Sequence, residues 1–221
     1  MKVVLLSGSP KGKVSTSFSL VNYVSNELER NGLQTVVHIL SNSIRSEESM
    51  NRLLTDLDSA DYIVLAAPLY IDTLPAHVLQ TMLDIDRHRS GVDGRKSRFI
   101  GILNSGFPES EHNSLALDIL RNFCLKIGYQ WAGGIPFGGG GIIGGVPLDE
   151  TGGRGRNAKL SMDLLVSAIM NMEDVPTAAI GQIKKQVVPK RLYIMMAQRG
   201  WKQLAKANGV DAVLDAKPYC S

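Results

Sequence analysis

Short apolar runs alternate with amphipathic segments over about the first 170 residues of the chain. The runs are rich in Val, Ile and Leu, which is typical of strands that are buried on both faces of a sheet. Glycine or proline follows several of them, as Gly8 and Pro68 do. We predict five strands, at residues 2–6, 35–40, 62–67, 98–103 and 129–135.

Between these runs, apolar residues recur every three or four positions, which predicts helices with one buried face. The first helix is expected to begin near Thr16 and to end before Gly32. Its apolar face contains Leu20, Val24 and Leu28. Further helices are predicted at residues 49–57, from Pro75 through Leu83, at 115–127, at 157–172 and at 189–207. The inward positions of the helix at 157–172 are expected to be Leu160, Leu164, Ile169 and Met172.

Strands that alternate with helices predict an α/β fold, with a parallel sheet covered by helices on both faces. Right-handed crossovers leave few topologies for such a sheet. We predict one α/β domain at residues 1–175. Residues 176–221 are expected to form a helical tail that packs on the core or on a second subunit.

Composition and charge restrict the partners of the protein. The longest apolar run, residues 62–71, is shorter than the ~18 residues of a membrane span. The apolar run at the N-terminus is too short for a signal peptide. We therefore expect a cytoplasmic protein with no membrane partner. The net charge of +3 is spread along the chain without a dense basic stripe, so no nucleic-acid partner is expected.

Cysteine and histidine are too scattered to predict a metal site. The two cysteines, Cys124 and Cys220, form no C-x-x-C pair and have no histidine at ligand spacing. The sequence therefore favours neither a zinc nor an iron–sulfur site. The four histidines are dispersed, which favours structural or surface roles for them.

The segment after the first strand, residues 8–17, contains glycine, lysine and several hydroxyl residues where a helix is predicted to begin. Ligands of such sheets bind outside the carboxyl ends of the strands. The N–H groups of a helix N-terminus, with hydroxyl and ammonium groups beside them, favour a phosphate. An alternative is that Ser15 or Thr16 only caps the helix.

Two other phosphate-binding motifs do not fit this chain. In the first loop, the spacing from Gly8 to Gly12 is one residue short of a Walker A loop, and Val14 stands at its hydroxyl position. A G-x-G-x-x-G match occurs later, at Gly139, Gly141 and Gly144. It lies in the glycine-rich segment 138–145, which we interpret as a flexible loop near the site rather than as a nucleotide fingerprint.

Three segments resemble the flavodoxin-like NAD(P)H-dependent FMN reductases. Residues 8–20, GSPKGKVSTSFSL, are similar to the phosphate loop of that family. Residues 67–71, with Pro75 beyond them, are similar to its segment beside the isoalloxazine ring. Residues 104–107 stand where the family has a third flavin-contacting loop. The resemblance covers roughly residues 1–135 and implies a doubly wound five-stranded parallel sheet of order 2-1-3-4-5.

The resemblance also implies a set of residues that bind FMN. The phosphate group would be held by Ser9, Lys11, Ser15, Thr16 and Ser17. The ring would lie against Pro68, Leu69, Tyr70 and Ile71 on one side and against Asn104, Ser105, Gly106 and Phe107 on the other. The alternative is that Tyr70 and Phe107 only cover the sheet edge, and that Asn104 and Ser105 only form turns.

The function expected from this resemblance is an FMN-dependent NAD(P)H oxidoreductase. NADPH or NADH would pass a hydride to the bound flavin, which would reduce a small acceptor such as a quinone or a flavin. Because the cofactor carries this chemistry, no catalytic acid or base is named. The resemblance implies a homodimer.

Two other functions stay open. A flavodoxin-like electron carrier would have the same fold, but the resemblance implies a strongly acidic protein for that role, whereas this chain has a net charge of +3. A phosphate- or nucleotide-binding module without redox chemistry would use the first loop alone.

Overall fold

The computed structural model describes residues 1–90, 97–185 and 189–210. Five parallel strands form one sheet in the order β2-β1-β3-β4-β5. This is the predicted order, and the α/β fold class is confirmed. The strands are β1 (Lys2–Ser7), β2 (Gln34–Ile39), β3 (Tyr62–Pro68), β4 (Arg98–Asn104) and β5 (Gln130–Phe137).

Helices connect the strands and extend beyond the last one. In the described residues they are α1 (Thr16–Arg30), α2 (Leu40–Ser43), α3 (Glu47–Asp58), α4 (Ala76–Arg89), α5 (Ser114–Ile127), α6 (Arg156–Met170), α7 (Thr177–Ile183) and α8 (Lys190–Ala207). Short 3-10 helices lie at Ser110–Asn113, Gly140–Ile142, Leu148–Glu150 and Gly152–Gly155. Each predicted helix is present, whereas α2 and α7 were not predicted.

The two faces of the sheet carry separate apolar cores. Val3 and Leu5 of β1 point to the face covered by α1 and α6. Val4 and Leu6 point to the opposite face, which α3, α4 and α5 cover. All four side chains are buried, so the continuous apolar run of β1 reflects burial on both sides.

The buried face of α6 differs from the predicted one. Leu160 and Leu164 are exposed, and the inward positions are Met162, Leu165 and Ile169. The helix has two apolar stripes, and the one that includes the small residues Ala158 and Ser161 faces the core. Small residues let a helix approach its neighbours closely, a packing effect that the apolar spacing alone does not reveal.

The chain divides into two units, one up to Lys185 and one after it, of which the structure describes residues 189–210. In the first unit, α7 packs beside α6, where the Ser161 hydroxyl donates to the Ala179 carbonyl over 2.8 Å. Ile183 of α7 is buried in the core. Residues 177–183, which the sequence analysis assigned to the tail, therefore pack within the first unit. The second unit contains α8, at the predicted position.

Two further observations concern the described residues. None of their helices has the length and apolar character needed to cross a bilayer.

Cys124 is buried on α5, and burial raises the pKa of its thiol to about 12. Cys220 lies outside the described residues.

A partly buried cluster of charges connects the sheet to α3. The Lys2 ammonium lies 2.8 Å from one carboxylate oxygen of Asp56, and His38 Nε2 lies 2.9 Å from the other. Burial acts most strongly on Asp56 and raises its pKa. The hydrogen bonds from Lys2 and His38 together outweigh burial and hold that pKa below its usual value.

We predict that Asp56→Asn lowers the free energy of unfolding by about 1 kcal/mol at neutral pH. A carboxyl whose pKa is lowered by folding stabilises the folded state above the pKa of the unfolded chain. That contribution disappears as the pH falls through the folded-state pKa. Urea unfolding of both proteins should therefore show a difference at neutral pH that vanishes in acid. Glu48→Gln, which removes a fully exposed ion pair with Arg52, is the control and should change little.

Candidate functional site at the carboxyl edge of the sheet

Three loops lie side by side at the carboxyl edge of the sheet. The first follows β1, the second follows β3 and the third follows β4, and these strands are neighbours in the sheet. The register pairs Ser7 with Ala66 and Pro68 with Asn104, so the three strands end at similar heights. The segments that were predicted from the sequence are therefore brought together.

Asn104, at the end of β4, connects all three loops. Its side-chain amide donates to the Ser17 hydroxyl over 2.9 Å and to the Ala67 carbonyl over 3.0 Å. Its backbone carbonyl accepts from the Leu69 N–H over 2.8 Å. Asn104 is buried. Its side chain thus links the start of α1 to the end of β3, which is more than a turn former does.

The first loop leaves β1 through a glycine that lies very close to its neighbours. A Cβ at Gly8 would lie 2.8 Å from Val78 Cγ2 and 2.9 Å from Ala67 Cβ. The next turn is closed by a hydrogen bond from the Gly12 N–H to the Ser9 carbonyl, with Gly12 at a φ of +59°. The Ser9 side chain is buried, and its hydroxyl accepts from the Lys11 N–H over 3.3 Å.

The hydroxyl groups at the start of α1 have different partners. Ser15 is the N-cap, because its Oγ accepts from the Phe18 N–H over 3.2 Å, and it donates to the Gly12 carbonyl over 2.6 Å. Thr16 donates to the Gly140 carbonyl over 2.8 Å. Ser17 is an acceptor for Asn104. Ser15 therefore caps α1, which was the alternative to phosphate binding for this residue.

The second loop is a tight turn in which Tyr70 and Thr73 exchange backbone hydrogen bonds of 2.9 and 3.1 Å. The two residues at its tip, Ile71 and Asp72, have φ values of +48° and +59°. A β-branched residue with positive φ is unusual and marks local backbone strain. The turn leaves the Ile71 side chain 98% exposed and that of Tyr70 44% exposed.

The third loop carries one exposed aromatic ring above a buried hydrogen-bonded turn. Phe107 is 59% exposed and packs against His112, with ring centroids 4.9 Å apart. Ser105 is buried, and its N–H donates to the Phe137 carbonyl over 2.9 Å. A Cβ at Gly106 would meet no atom within 4 Å. The site therefore has an apolar rim, formed by Tyr70, Ile71 and Phe107.

The glycine-rich segment 138–145 packs on the first and third loops. The Gly140 N–H donates to the Ser105 carbonyl over 2.8 Å, and a Cβ at Gly145 would lie 2.5 Å from the Val14 carbonyl group. Ile143 is buried in the core. The segment lies near the site, as expected, and it is packed against the two loops. Glycine is needed here because backbone lies against backbone, a contact that leaves no room for a side chain.

Three buried polar atoms near these loops have no hydrogen-bond partner among the described residues. They are Ser7 Oγ, His77 Nε2 and Asn113 Oδ1. Ser7 ends β1, His77 is in the first turn of α4 and contacts the backbone of Gly8, and the Asn113 amide donates to Ser105. Unsatisfied buried polar atoms are costly, so a water molecule or a ligand group is expected to complete their hydrogen bonds.

The sequence predicts a structural or surface role for His77. Burial lowers the pKa of its imidazole, and the hydrogen bond to the Gly8 backbone opposes this only in part. Burial therefore favours the neutral form of the ring. Its position two residues after Pro75, next to the predicted second loop, is the signal that would have included it in the site.

Comparisons with known proteins agree with this architecture. Residues 1–101 match the sequence model of the family described as NADPH-dependent FMN reductase. No curated protein matches the chain significantly.

The fold is also similar to solved structures. An FMN-dependent NADH-azoreductase from Bacillus anthracis, solved with FMN, is 15% identical with a TM-score of 0.58, over 76% of this chain and 99% of that one. A candidate quinone reductase from Klebsiella pneumoniae is 15% identical with a TM-score of 0.55, over 80% and 87% of the two chains. A WrbA-like flavodoxin from Agrobacterium tumefaciens is 16% identical with a TM-score of 0.52, over 77% and 98%.

The fold, with its parallel sheet of order β2-β1-β3-β4-β5, is flavodoxin-like. Within that fold, residues 1–101, a little under half of the chain, resemble the family described as NADPH-dependent FMN reductase. The resemblance found in the sequence is thus confirmed.

We predict that Gly145→Ala destabilises the protein more than Gly152→Ala does. Both glycines have positive φ, which costs another residue about 1–2 kcal/mol. Only at Gly145 does the new methyl group meet backbone atoms, whereas at Gly152 it meets none within 4 Å. Overpacking should add about 1–3 kcal/mol at Gly145. Urea unfolding of both variants measures the difference, and equal losses would mean that the segment moves freely away from Val14.

Proposed function

We propose that the three loops bind FMN and that the protein transfers a hydride from NADPH or NADH through this flavin to a small aromatic acceptor. The observation that carries the proposal is the Asn104 side chain, which fixes the three loops at one edge of the sheet above unsatisfied buried polar atoms. The description of the matching family, which names FMN and NADPH, supports the same assignment.

The phosphate end of FMN would lie at the first loop. Ser9 and Ser17 have hydroxyl groups that accept hydrogen bonds from the protein and have a hydrogen to donate to a phosphate oxygen. The N–H groups at the start of α1 and the ammonium group of Lys11 would balance the negative charge. Ser15 and Thr16 would shape the loop, because their hydroxyl hydrogens are donated to Gly12 and Gly140.

The ring of FMN would lie between the second and third loops. Pro68 and Leu69 would supply backbone beside one edge of the ring, and Ser105 and Gly106 would face it from the other loop. The open space at Gly106 supports a close approach of the ring to the backbone. When bound, FMN accepts a hydride and releases it to a second substrate. The protein holds the ring and limits the access of water.

A planar aromatic molecule is the acceptor that we infer. Tyr70, Ile71 and Phe107 form an exposed apolar rim, which suits a flat ring stacked above the flavin. Similar structures that are described as an azoreductase and as a candidate quinone reductase support this class of acceptor. A quinone is our first choice. The homodimer and the cytoplasmic location expected from the sequence stay predictions.

The test is flavin binding followed by steady-state turnover. The protein incubated with FMN and desalted should show flavin absorbance, and it should oxidise NADPH or NADH when a benzoquinone is supplied. Bound flavin that neither nucleotide reduces would contradict the reductase and favour an electron carrier. A protein that binds no flavin would favour the phosphate-binding module.

We predict that Ser9→Ala weakens FMN binding by about 1–3 kcal/mol, because a buried hydrogen bond to a charged phosphate is lost. Fluorescence titration of FMN measures the change. Ser46→Ala is the control, since Ser46 Oγ also accepts a hydrogen bond from a backbone N–H, but does so at the start of α3 and not in the first loop. The control should lose about 1 kcal/mol of stability and no affinity. Unchanged FMN affinity of Ser9→Ala would contradict the proposed position of the phosphate.

A further inference from the structure

Most of the positive charge of the helix α8 lies on one side. It contains five basic residues and no acidic one over Lys190–Ala207. At the 100° per residue of an α-helix, four of the basic residues fall within about 80° of its circumference. These four are Arg191, Arg199, Lys202 and Lys206. We call this side the basic arc.

The opposite side of α8 presents large apolar groups to water. Ile194, Met196, Trp201 and Leu204 fall within about 160° of the circumference, outside the basic arc. Lys190, in the first turn, also falls within this range, and Met195 falls within the basic arc. Their exposed fractions are 40%, 58%, 68% and 62%. We call this side the apolar arc. It contains the one exposed tryptophan of the described residues.

The two arcs together restrict what binds this helix. A protein groove would cover the apolar arc and leave the basic arc without a partner. An acidic peptide would pair with the basic arc and leave the apolar arc in water. A second copy of α8 packed through its apolar arc would leave both basic arcs facing outward without a partner. A surface of anionic lipid satisfies both arcs, because the apolar arc enters the acyl boundary while lysine and arginine extend to the phosphate level.

We propose that α8 is an amphipathic anchor that lies in the plane of an anionic lipid surface. Trp201 would sit at the headgroup boundary, where an indole combines an apolar body with a polar N–H. This differs from the expectation of no membrane partner, which was based on the absence of a long apolar run. An anchor of this kind lies on the membrane surface and does not cross the bilayer. The inference does not depend on the proposed enzymatic function.

The test uses the full chain with Trp131→Phe, which leaves Trp201 as the only tryptophan. Vesicles of phosphatidylcholine mixed equally with phosphatidylserine are compared with vesicles of phosphatidylcholine alone. We expect co-sedimentation with the anionic vesicles, together with a blue shift of the Trp201 emission. Binding should weaken as salt is raised, because the lipid attraction is screened.

Two variants of this protein distinguish an effect of the charge on α8 from an effect of the net charge of the whole chain. Replacing Arg199 and Lys202 by glutamine should weaken binding to the anionic vesicles about thirtyfold. The matched control replaces Arg45 and Arg121, which are exposed basic residues of the first unit, and should bind normally. Far-ultraviolet circular dichroism of each variant checks that the helices are retained.

Several results would overturn the proposal. One is equal binding to both kinds of vesicle, or none to either. A second is an equal loss of binding in the control variant. A third is binding to polyglutamate without an emission shift on vesicles, which would point to an acidic protein partner. A fourth is a lipid-free dimer that Leu204→Gln dissociates, which would show that a second copy covers the apolar arc.

Discussion

The site depends on one buried amide. The two N–H hydrogens of the Asn104 side chain have acceptors on two different segments, the Ser17 hydroxyl and the Ala67 carbonyl. An aspartate has the same shape but no hydrogen to donate, and a leucine would leave both acceptors without a partner. Each buried group left without a partner costs about 1–3 kcal/mol. The position of α1 relative to the end of β3 therefore depends on a side chain from β4.

The backbone around this amide is placed by close contacts between glycines and their neighbours. Gly8 lies against Val78 and Ala67, so the first loop leaves the sheet beside α4. Gly145 lies against Val14 on the other side of the same loop. The first loop therefore contacts α4 through Gly8 and the glycine-rich segment through Val14. A phosphate group that binds there meets a preformed loop, and little ordering entropy is lost on binding.

Much of this arrangement could be predicted from the sequence, because local signals determine it. Apolar runs mark the strands, and proline or glycine marks their ends, so the loops at Gly8, Pro68 and Asn104 were found correctly. The contact from Thr16 to Gly140 joins residues 124 positions apart and has no local signal. The same holds for His77, whose place beside Gly8 depends on how α4 packs. The buried face of α6 was missed because its two apolar stripes are similar in sequence.

The distribution of charge sharpens the distinction between an enzyme and an electron carrier. The net charge of +3 was the argument against an acidic carrier. Basic and acidic residues nearly balance in the first unit, so the excess of positive charge belongs to the rest of the chain, above all to α8. The argument still holds, because an electron carrier that docks on basic partners needs a strongly acidic surface around its flavin. A first unit whose basic and acidic residues nearly balance does not have the strongly acidic composition of such a carrier.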